Sequence, residues 1–271
     1  MTVQQTQEKE TALGYARTAS AAFADVAALF RDLPNDAWGG PTGCEKWTMH
    51  ELAGHIAGEA VWFAHLVLET TEGVSPLPDS TWGELNALPG KEIAERVANA
   101  ARELTVNVES APPRGLEGDA NLGWATMPLW EGLAIGMQEG VIHNWDVRVG
   151  RDPNATIPTP WAQALAPTMV NLAPFLARRD AAQAEPGTYL LDVGDGIGPV
   201  TIIAGENGVT AEQGKAGPAD VTLRLSADQY VRLIAGRLPL KEAIANGSVT
   251  VEGDASRAEG LNRIFKGINN G

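Results

Sequence analysis

Glutamate and histidine at helical spacing are the residues of this sequence best suited to metal chemistry. The chain of 271 residues contains four histidines, and His143 follows Glu139 by four positions in the segment Glu-Gly-Val-Ile-His. That separation places both side chains on one face of a helix, one turn apart. A helix can supply two ligands to one metal ion in this way, although on a solvated face the same pair is only a weak ion pair.

A third ligand has to come from another helix, and His55, in an apolar run, is the candidate. Two imidazoles and one carboxylate suit Zn²⁺ and leave a coordination position for water or substrate. The same donors suit Fe²⁺ or Ni²⁺, so they do not name the metal. Two alternatives stay open: His55 and Glu59 form a rival pair at the same spacing, and a histidine in an apolar stretch can be a hydrogen-bonded core residue.

The other polar candidates are weaker. His65 lies about 80° around the helix from His55, and His50, in the first turn, is expected to face solvent. Cys44 is the only cysteine and could be a nucleophile, but the only histidines near it in sequence belong to the metal-binding helix. Asp146 is expected either to orient a ligand histidine through a hydrogen bond or to be a surface charge.

Long helices must position these groups. Apolar residues recur at helical spacing in the first half of the chain. The second helix is marked by Thr48 and Glu51, which match the capping-box pattern before an apolar run. Four helices of about 20 residues favour a bundle with long connections. The predicted helices cover residues 11–33, 48–70, 90–110 and 128–149, with a loop over residues 73–89.

The second half of the chain changes to a period of two. Short strands separated by Gly, Asn and Asp turns, and then helices, indicate an α+β domain. A further helix at residues 161–178 either caps the bundle or bridges to this domain. We therefore predict two domains, 1–182 and 183–271. The predicted strands cover residues 188–193, 199–203, 209–213, 221–225 and 249–253, and helices follow from Ser226 and over 255–265.

Composition limits the kind of partner. The net charge of −14 argues against nucleic acid, whose phosphates need a basic surface, and against anionic lipid. We expect a small-molecule ligand and a monomer or homodimer. We expect no secretory signal, because the first ten residues are polar and contain no apolar run. No apolar run in the sequence is long enough for a membrane span. With a single cysteine, these features predict a cytoplasmic protein.

Two segments resemble signatures of the mycothiol-dependent maleylpyruvate isomerase family, whose N-terminal domain is a DinB-like four-helix bundle. Residues 38–55 are similar to the opening signature, in which a Cys-x-x-Trp turn, here Cys44 to Trp47, leads into a helix with the first metal histidine. Residues 139–147 are similar to the second, Glu-x-x-x-His followed by Trp-Asp. The resemblance implies that His55, Glu139 and His143 bind a divalent metal, most simply Zn²⁺, and that mycothiol is the thiol cosubstrate.

Residues 219–225, 233–240 and 244–254 resemble sterol-carrier-protein-like domains, which often accompany the bundle in this family. In the isomerase an arginine of the C-terminal domain is thought to reach the active site, and Arg237 is the candidate here for that catalytic role; the alternative is a surface arginine after a helix. The family's other basic substrate contact has no clear counterpart, since Arg96 is only nearby, and this puts maleylpyruvate itself in doubt.

Three functions compete at this point. The first is a metal-dependent enzyme that uses a low-molecular-weight thiol for isomerisation or sulfur transfer on a small electrophilic substrate. The second keeps the metal without the thiol, as a hydrolase, cyclase or isomerase. The third is a non-catalytic carrier of an apolar ligand in the sterol-carrier-like domain, which would leave both metal signatures as coincidence.

Overall fold

The computed structural model describes residues 3–214 and 217–267. The chain divides after Ala155 into two compact units, here called the N-terminal and C-terminal units. The first is helical and the second combines a sheet with helices, so the predicted α+β class with two domains is confirmed.

The N-terminal unit is a bundle of four long helices. Helix α1 packs on α4 and α6, and α2 packs on the same two helices. A short 3-10 helix covers Asn35–Gly39, and the unit also holds two short helices and one small hairpin. Its elements are α1 (Val3–Arg31), α2 (Met49–Glu72), α3 (Thr81–Asn86), α4 (Gly90–Ser110), α5 (Pro113–Leu116), β1 (Asp119–Asn121), β2 (Thr126–Pro128) and α6 (Leu129–Val149).

Helix α2 begins where the capping box predicts. The Thr48 side chain accepts a hydrogen bond from the Glu51 backbone N–H, and the Glu51 carboxylate accepts one from the Thr48 backbone N–H. The helix ends at Gly73, whose φ of 71° is left-handed, a conformation that glycine adopts without steric cost. One face of α2, including Leu52 and Ile56, is buried in the bundle.

Glycines let α6 approach its neighbours closely. A Cβ built on Gly136 would lie 2.9 Å from the Phe63 ring of α2, and one on Gly140 would lie 3.2 Å from the Ala19 carbonyl oxygen of α1. Larger side chains would push the helices apart, because protein interiors are close-packed. The small residues therefore set the spacing at which α6 presents its polar side chains to α2.

The C-terminal unit is a five-stranded sheet with helices. The strand order is β5-β4-β3-β6-β7, with β3 parallel to β6 and the other pairs antiparallel. Helix α9 begins at Ser226, which forms a capping box with Gln229. The elements are α7 (Thr159–Leu176), α8 (Arg179–Ala184), β3 (Gly187–Val193), β4 (Gly198–Gly205), β5 (Gly208–Gln213), β6 (Val221–Leu225), α9 (Ala227–Ile234), α10 (Leu240–Ala245), β7 (Thr250–Gly253) and α11 (Ala255–Ile264).

The structure contains several short elements that the sequence did not predict. Helix α3 lies inside the predicted loop 73–89, the β1–β2 hairpin was not expected, and neither were α8 and α10. Helix α7 packs on α9 and β5, so the C-terminal unit begins earlier than the domain boundary expected at residue 183; the domain limits 1–182 and 183–271 stay a prediction. Within the described residues, no helix combines the length and apolar character needed to cross a membrane.

Candidate metal centre

Helices α2 and α6 bring three ligand atoms together. The Nε2 atom of His55 lies 3.2 Å from Nε2 of His143 and 3.4 Å from Oε2 of Glu139. The third side of the triangle, from His143 Nε2 to Glu139 Oε2, is 3.0 Å. The three residues predicted as metal ligands thus converge on one point, although His55 is 84 positions before Glu139 in the sequence.

The triangle has the size of a metal site. With bonds of about 2.0–2.1 Å, a tetrahedral Zn²⁺ centre places its ligand atoms about 3.3 Å from one another. The three measured separations, 3.0, 3.2 and 3.4 Å, agree with this value. Three protein ligands leave the fourth position for an exogenous group. The donor set therefore fits a divalent metal and is equally compatible with Fe²⁺ or Ni²⁺.

Two further carboxylates lie beyond the triangle. Asp146, fully buried, lies behind His143, with Oδ2 at 2.9 Å from Nδ1. A metal on Nε2 requires the proton on Nδ1, and this carboxylate accepts a hydrogen bond from that N–H. On the other helix Glu59 Oε1 is 4.0 Å from Nδ1 of His55. The rival pair is therefore adjacent to the centre, but it is Nε2 of His55 that faces Glu139 and His143.

Burial and hydrogen bonding shift the pKa values of these groups in opposite directions. Burial favours the neutral form of Glu139, but hydrogen bonds from His143 and His55 outweigh it and hold its pKa well below the ordinary value. Burial likewise disfavours charge on His143, yet bonds to Asp146, Cys44 and Glu139 raise its pKa. Burial lowers the pKa of His55. Burial, with the nearby charge of Glu139, raises the pKa of Glu59 to about 8.

The loop before α2, residues 40–48, covers the histidines. Thr42 Oγ1 accepts a hydrogen bond from the Cys44 backbone N–H and lies 3.0 Å from the carbonyl oxygens of Cys44 and Trp47. This local network fixes Trp47, whose ring centroid is 4.7 Å from that of His55 and 6.2 Å from that of His143. The contact of Trp47 with both histidines was not predicted, although the residue belongs to the Cys-x-x-Trp signature.

Cys44 lies in the same loop and is only 1% exposed. Its thiol donates a hydrogen bond to Asp146 Oδ2 at 3.2 Å, and its sulfur lies 3.8 Å from Nδ1 of His143. A histidine is therefore close in space, which sequence proximity alone did not show. However, the buried thiol faces the outer side of the His143 ring, opposite the side that faces Glu139 and His55, and this position does not suit a nucleophile.

The other two histidines lie apart from the triangle. Nε2 of His50 is 3.0 Å from the Asn86 carbonyl oxygen, and Nε2 of His65 is 2.8 Å from that of Ser75. Both imidazoles are therefore paired with backbone carbonyls, one at the last residue of α3 and the other in the segment that follows α2. They provide matched controls for histidine substitutions at the candidate centre.

The two candidate arginines belong to other elements of the chain. Arg237 follows α9 in the C-terminal unit, and its guanidinium donates a hydrogen bond to the Ala235 carbonyl oxygen at 3.2 Å. Its catalytic role stays a prediction. Arg96, on α4, lines a depression of about 380 Å³ with Glu92 and Glu95. Among the described residues that line this depression there is no member of the metal triangle.

Two family models match the chain. Residues 19–148 match the mycothiol maleylpyruvate isomerase N-terminal domain, and residues 172–266 match the SCP-2 sterol transfer family. The first covers all three residues of the triangle, and the second covers Arg237. Comparison with curated proteins gave no match.

Solved structures with similar folds include the mycothiol-dependent maleylpyruvate isomerase, in its unsubstituted form and as a histidine-to-alanine mutant. Each is 18% identical to this chain, with a TM-score of 0.61, and the match covers 93% of this chain and 96% of the other. Sterol carrier protein 2 like 2 from Aedes aegypti is 16% identical with a TM-score of 0.31, and the match covers 39% and 97% of the two chains. The similarity to the two isomerase structures, at 18% identity over 93% of this chain, establishes a shared fold.

Proposed function

We propose that this chain is a thiol-dependent isomerase. Through residues 19–148 it belongs to the mycothiol maleylpyruvate isomerase N-terminal domain family, and through residues 172–266 to the SCP-2 sterol transfer family. The observation that carries the proposal is the convergence of His55, Glu139 and His143 on one point. In this proposal the substrate is a small electrophile, mycothiol is the thiol cosubstrate, and sulfur transfer is the alternative outcome.

The three residues of the triangle would hold a divalent cation, and Zn²⁺ is the first choice for two imidazoles and a carboxylate. When bound, the cation would lower the pKa of a thiol at the open position, so that the thiolate is available at neutral pH. Asp146 would keep the proton of His143 on Nδ1 and leave Nε2 free to bind. Trp47, beside both histidine rings, would exclude water from that side of the centre.

The reacting thiol must come from a second molecule. Cys44 is the only cysteine of the chain, and its sulfur is buried and hydrogen-bonded to Asp146. An external thiolate can add to one carbon of an activated alkene, after which the remaining single bond can rotate. Loss of the same sulfur restores the double bond in the other geometry, and the thiol is regenerated. If the substrate carries a leaving group instead, displacement by the thiolate gives sulfur transfer.

Arg237, a residue of the C-terminal unit, is proposed to bind an anionic group of the substrate. An arginine can bind a carboxylate through two parallel hydrogen bonds, whereas lysine offers a single point charge. Replacement of Arg237 by Lys should therefore raise KM for an anionic substrate and leave metal content unchanged. The cytoplasmic location and the monomeric or homodimeric state also stay predictions.

The first experiment is elemental analysis of the purified, untagged protein, with His143→Ala, His55→Ala and the control His65→Ala. We expect one equivalent of metal in the parent and in His65→Ala, and loss of metal from the other two. The His55 variant matters because His143 is buried, and its removal leaves the Asp146 carboxylate without one of its partners. A folded His55→Ala protein that retains a full equivalent of metal would refute the site.

Calorimetric titration with mycothiol then tests the thiol. Binding to the metal-loaded protein, with none to the metal-free protein, supports the thiol-dependent reaction. Metal without thiol binding would contradict it and favour the thiol-independent metal enzyme. A parent protein without metal, with a co-purified lipid, would instead favour the carrier.

A further inference from the structure

Asp146 accepts hydrogen bonds from two sides. Its Oδ2 atom lies 2.9 Å from Nδ1 of His143 and 3.2 Å from Sγ of Cys44. The residue is fully buried, so solvent does not orient the carboxylate, and its protein donors must do so. One oxygen atom is therefore held between an imidazole and a thiol.

We propose that Cys44 is a positioning residue that acts through Asp146 on His143. By donating to Oδ2, the thiol fixes the carboxylate in the orientation that accepts the Nδ1–H bond. The imidazole ring then keeps Nε2 directed at Glu139 and His55. The functional meaning of this inference rests on the proposed metal centre. The hydrogen-bonded series Cys44–Asp146–His143 itself is formed by the protein without any metal.

The surrounding backbone is built for this contact. The Gly43 backbone N–H donates to the Asp146 carbonyl oxygen at 2.8 Å, and Thr42 Oγ1 accepts from the Cys44 backbone N–H. A Cβ on Gly43 would lie 2.2 Å from Oδ1 of Asp146, which shows how closely the loop approaches α6. The thiol is thus fixed at both ends, by its loop and by its acceptor.

The test compares Cys44→Ser with Cys44→Ala. The two replacements leave nearly the same volume empty, but only serine retains a hydrogen-bond donor. We expect the affinity for Zn²⁺, measured by competition with a chromophoric chelator, to fall about tenfold in Cys44→Ala, the lower end of the usual effect of an outer hydrogen bond. Cys44→Ser should stay within about threefold of the parent. The visible spectrum of Co²⁺-loaded protein should change in the alanine variant and be restored by serine.

A double-mutant cycle tests whether the effect passes through Asp146. If it does, Cys44→Ala should add nothing to the loss already caused by Asp146→Asn, since residues in one hydrogen-bond network are not additive. Equal losses in Cys44→Ala and Cys44→Ser would show that packing matters and donation does not. Additive losses in the cycle would also overturn the proposal.

A measurement without metal separates this inference from the proposed function. In metal-free protein the ring proton resonances of His143 should move in Cys44→Ala and return to the parent positions in Cys44→Ser. If the parent binds no metal, the proposed function fails, but the comparison of His143 resonances in the metal-free proteins still tests the positioning role of Cys44. Ring resonances of His143 that are the same in both variants and the parent would refute the positioning role.

Discussion

Replacing Gly43 by alanine should damage both the stability of the N-terminal unit and its metal site. The added Cβ would lie 2.2 Å from Oδ1 and 2.9 Å from Cα of Asp146. Non-bonded carbon atoms pack at about 3.5–4.0 Å, so the loop or the aspartate has to move by roughly 1 Å. Because backbone as well as side chain is in contact, a change of rotamer alone does not relieve the overlap.

The expected losses of stability and of metal affinity follow from that movement. Overpacking of a tight contact costs typically about 1–3 kcal/mol, which corresponds to a fall in Tm of roughly 3–9 °C for a unit of this size. The bond between Asp146 Oδ2 and His143 Nδ1 is 2.9 Å long, and a shift of about 1 Å exceeds the range of a hydrogen bond. Loss of this bond should weaken metal binding by about 10–100-fold.

The assay pairs thermal unfolding of the metal-free protein with chelator competition for Zn²⁺. Gly39→Ala is the matched control, because a Cβ at Gly39 meets no described atom within 4 Å. It should leave both quantities near the parent values. If Gly43→Ala has the Tm and the metal affinity of the parent, the loop can retreat from α6 without consequence, and the argument for a tightly held Asp146 is wrong.

Three further predictions concern single side chains. Asp146→Asn should reduce Zn²⁺ affinity by about 10–100-fold in the competition assay, whereas a change of less than twofold would contradict the role assigned to Asp146. Thr48→Ala removes the cap of α2 and should lower the free energy of unfolding by about 1 kcal/mol, measured with urea; an unchanged midpoint would show that the cap is not needed. Tyr230→Phe should leave the C-terminal unit as stable or raise its free energy of unfolding by up to about 1–2 kcal/mol, because the buried hydroxyl has no hydrogen-bond partner among the described residues and such a group is costly to desolvate. A clear loss of stability would show that the hydroxyl has a partner, such as a water molecule.

Local patterns allowed much of the fold to be predicted. The capping box of Thr48 and Glu51 marks the start of α2 within one residue, and the predicted helix at residues 90–110 coincides with α4. Both signals come from residues within one helical turn or one helix face, so they do not depend on distant contacts. The short helix α3 was missed because its six residues lie among prolines, where periodicity is too short to detect.

For the candidate site, too, local spacing predicts one part and tertiary packing decides the other. Spacing predicts that Glu139 and His143 share a helix face, and the apolar second helix offers His55 as the third ligand. The family resemblance implies the same three residues. Spacing also allows His55 to pair with Glu59, because these two residues are four positions apart, as Glu139 and His143 are. Tertiary structure decides between them: packing of α6 on α2 directs Nε2 of His55 towards the Glu139–His143 pair and leaves Glu59 on the Nδ1 side.

Most of the outer part of the site depends on tertiary packing. The sequence indicates that Asp146 can orient a histidine, but it contains no sign that Cys44 donates to the same carboxylate or that Trp47 contacts both imidazoles. The contacts of Cys44 with Asp146 and of Trp47 with His143 join a loop to a helix about 100 residues later, and they depend on how closely Gly43 lets the two approach. A helix sets the relative position of its own side chains because its backbone geometry is regular, whereas the meeting of two distant segments is decided by the packing of the whole unit.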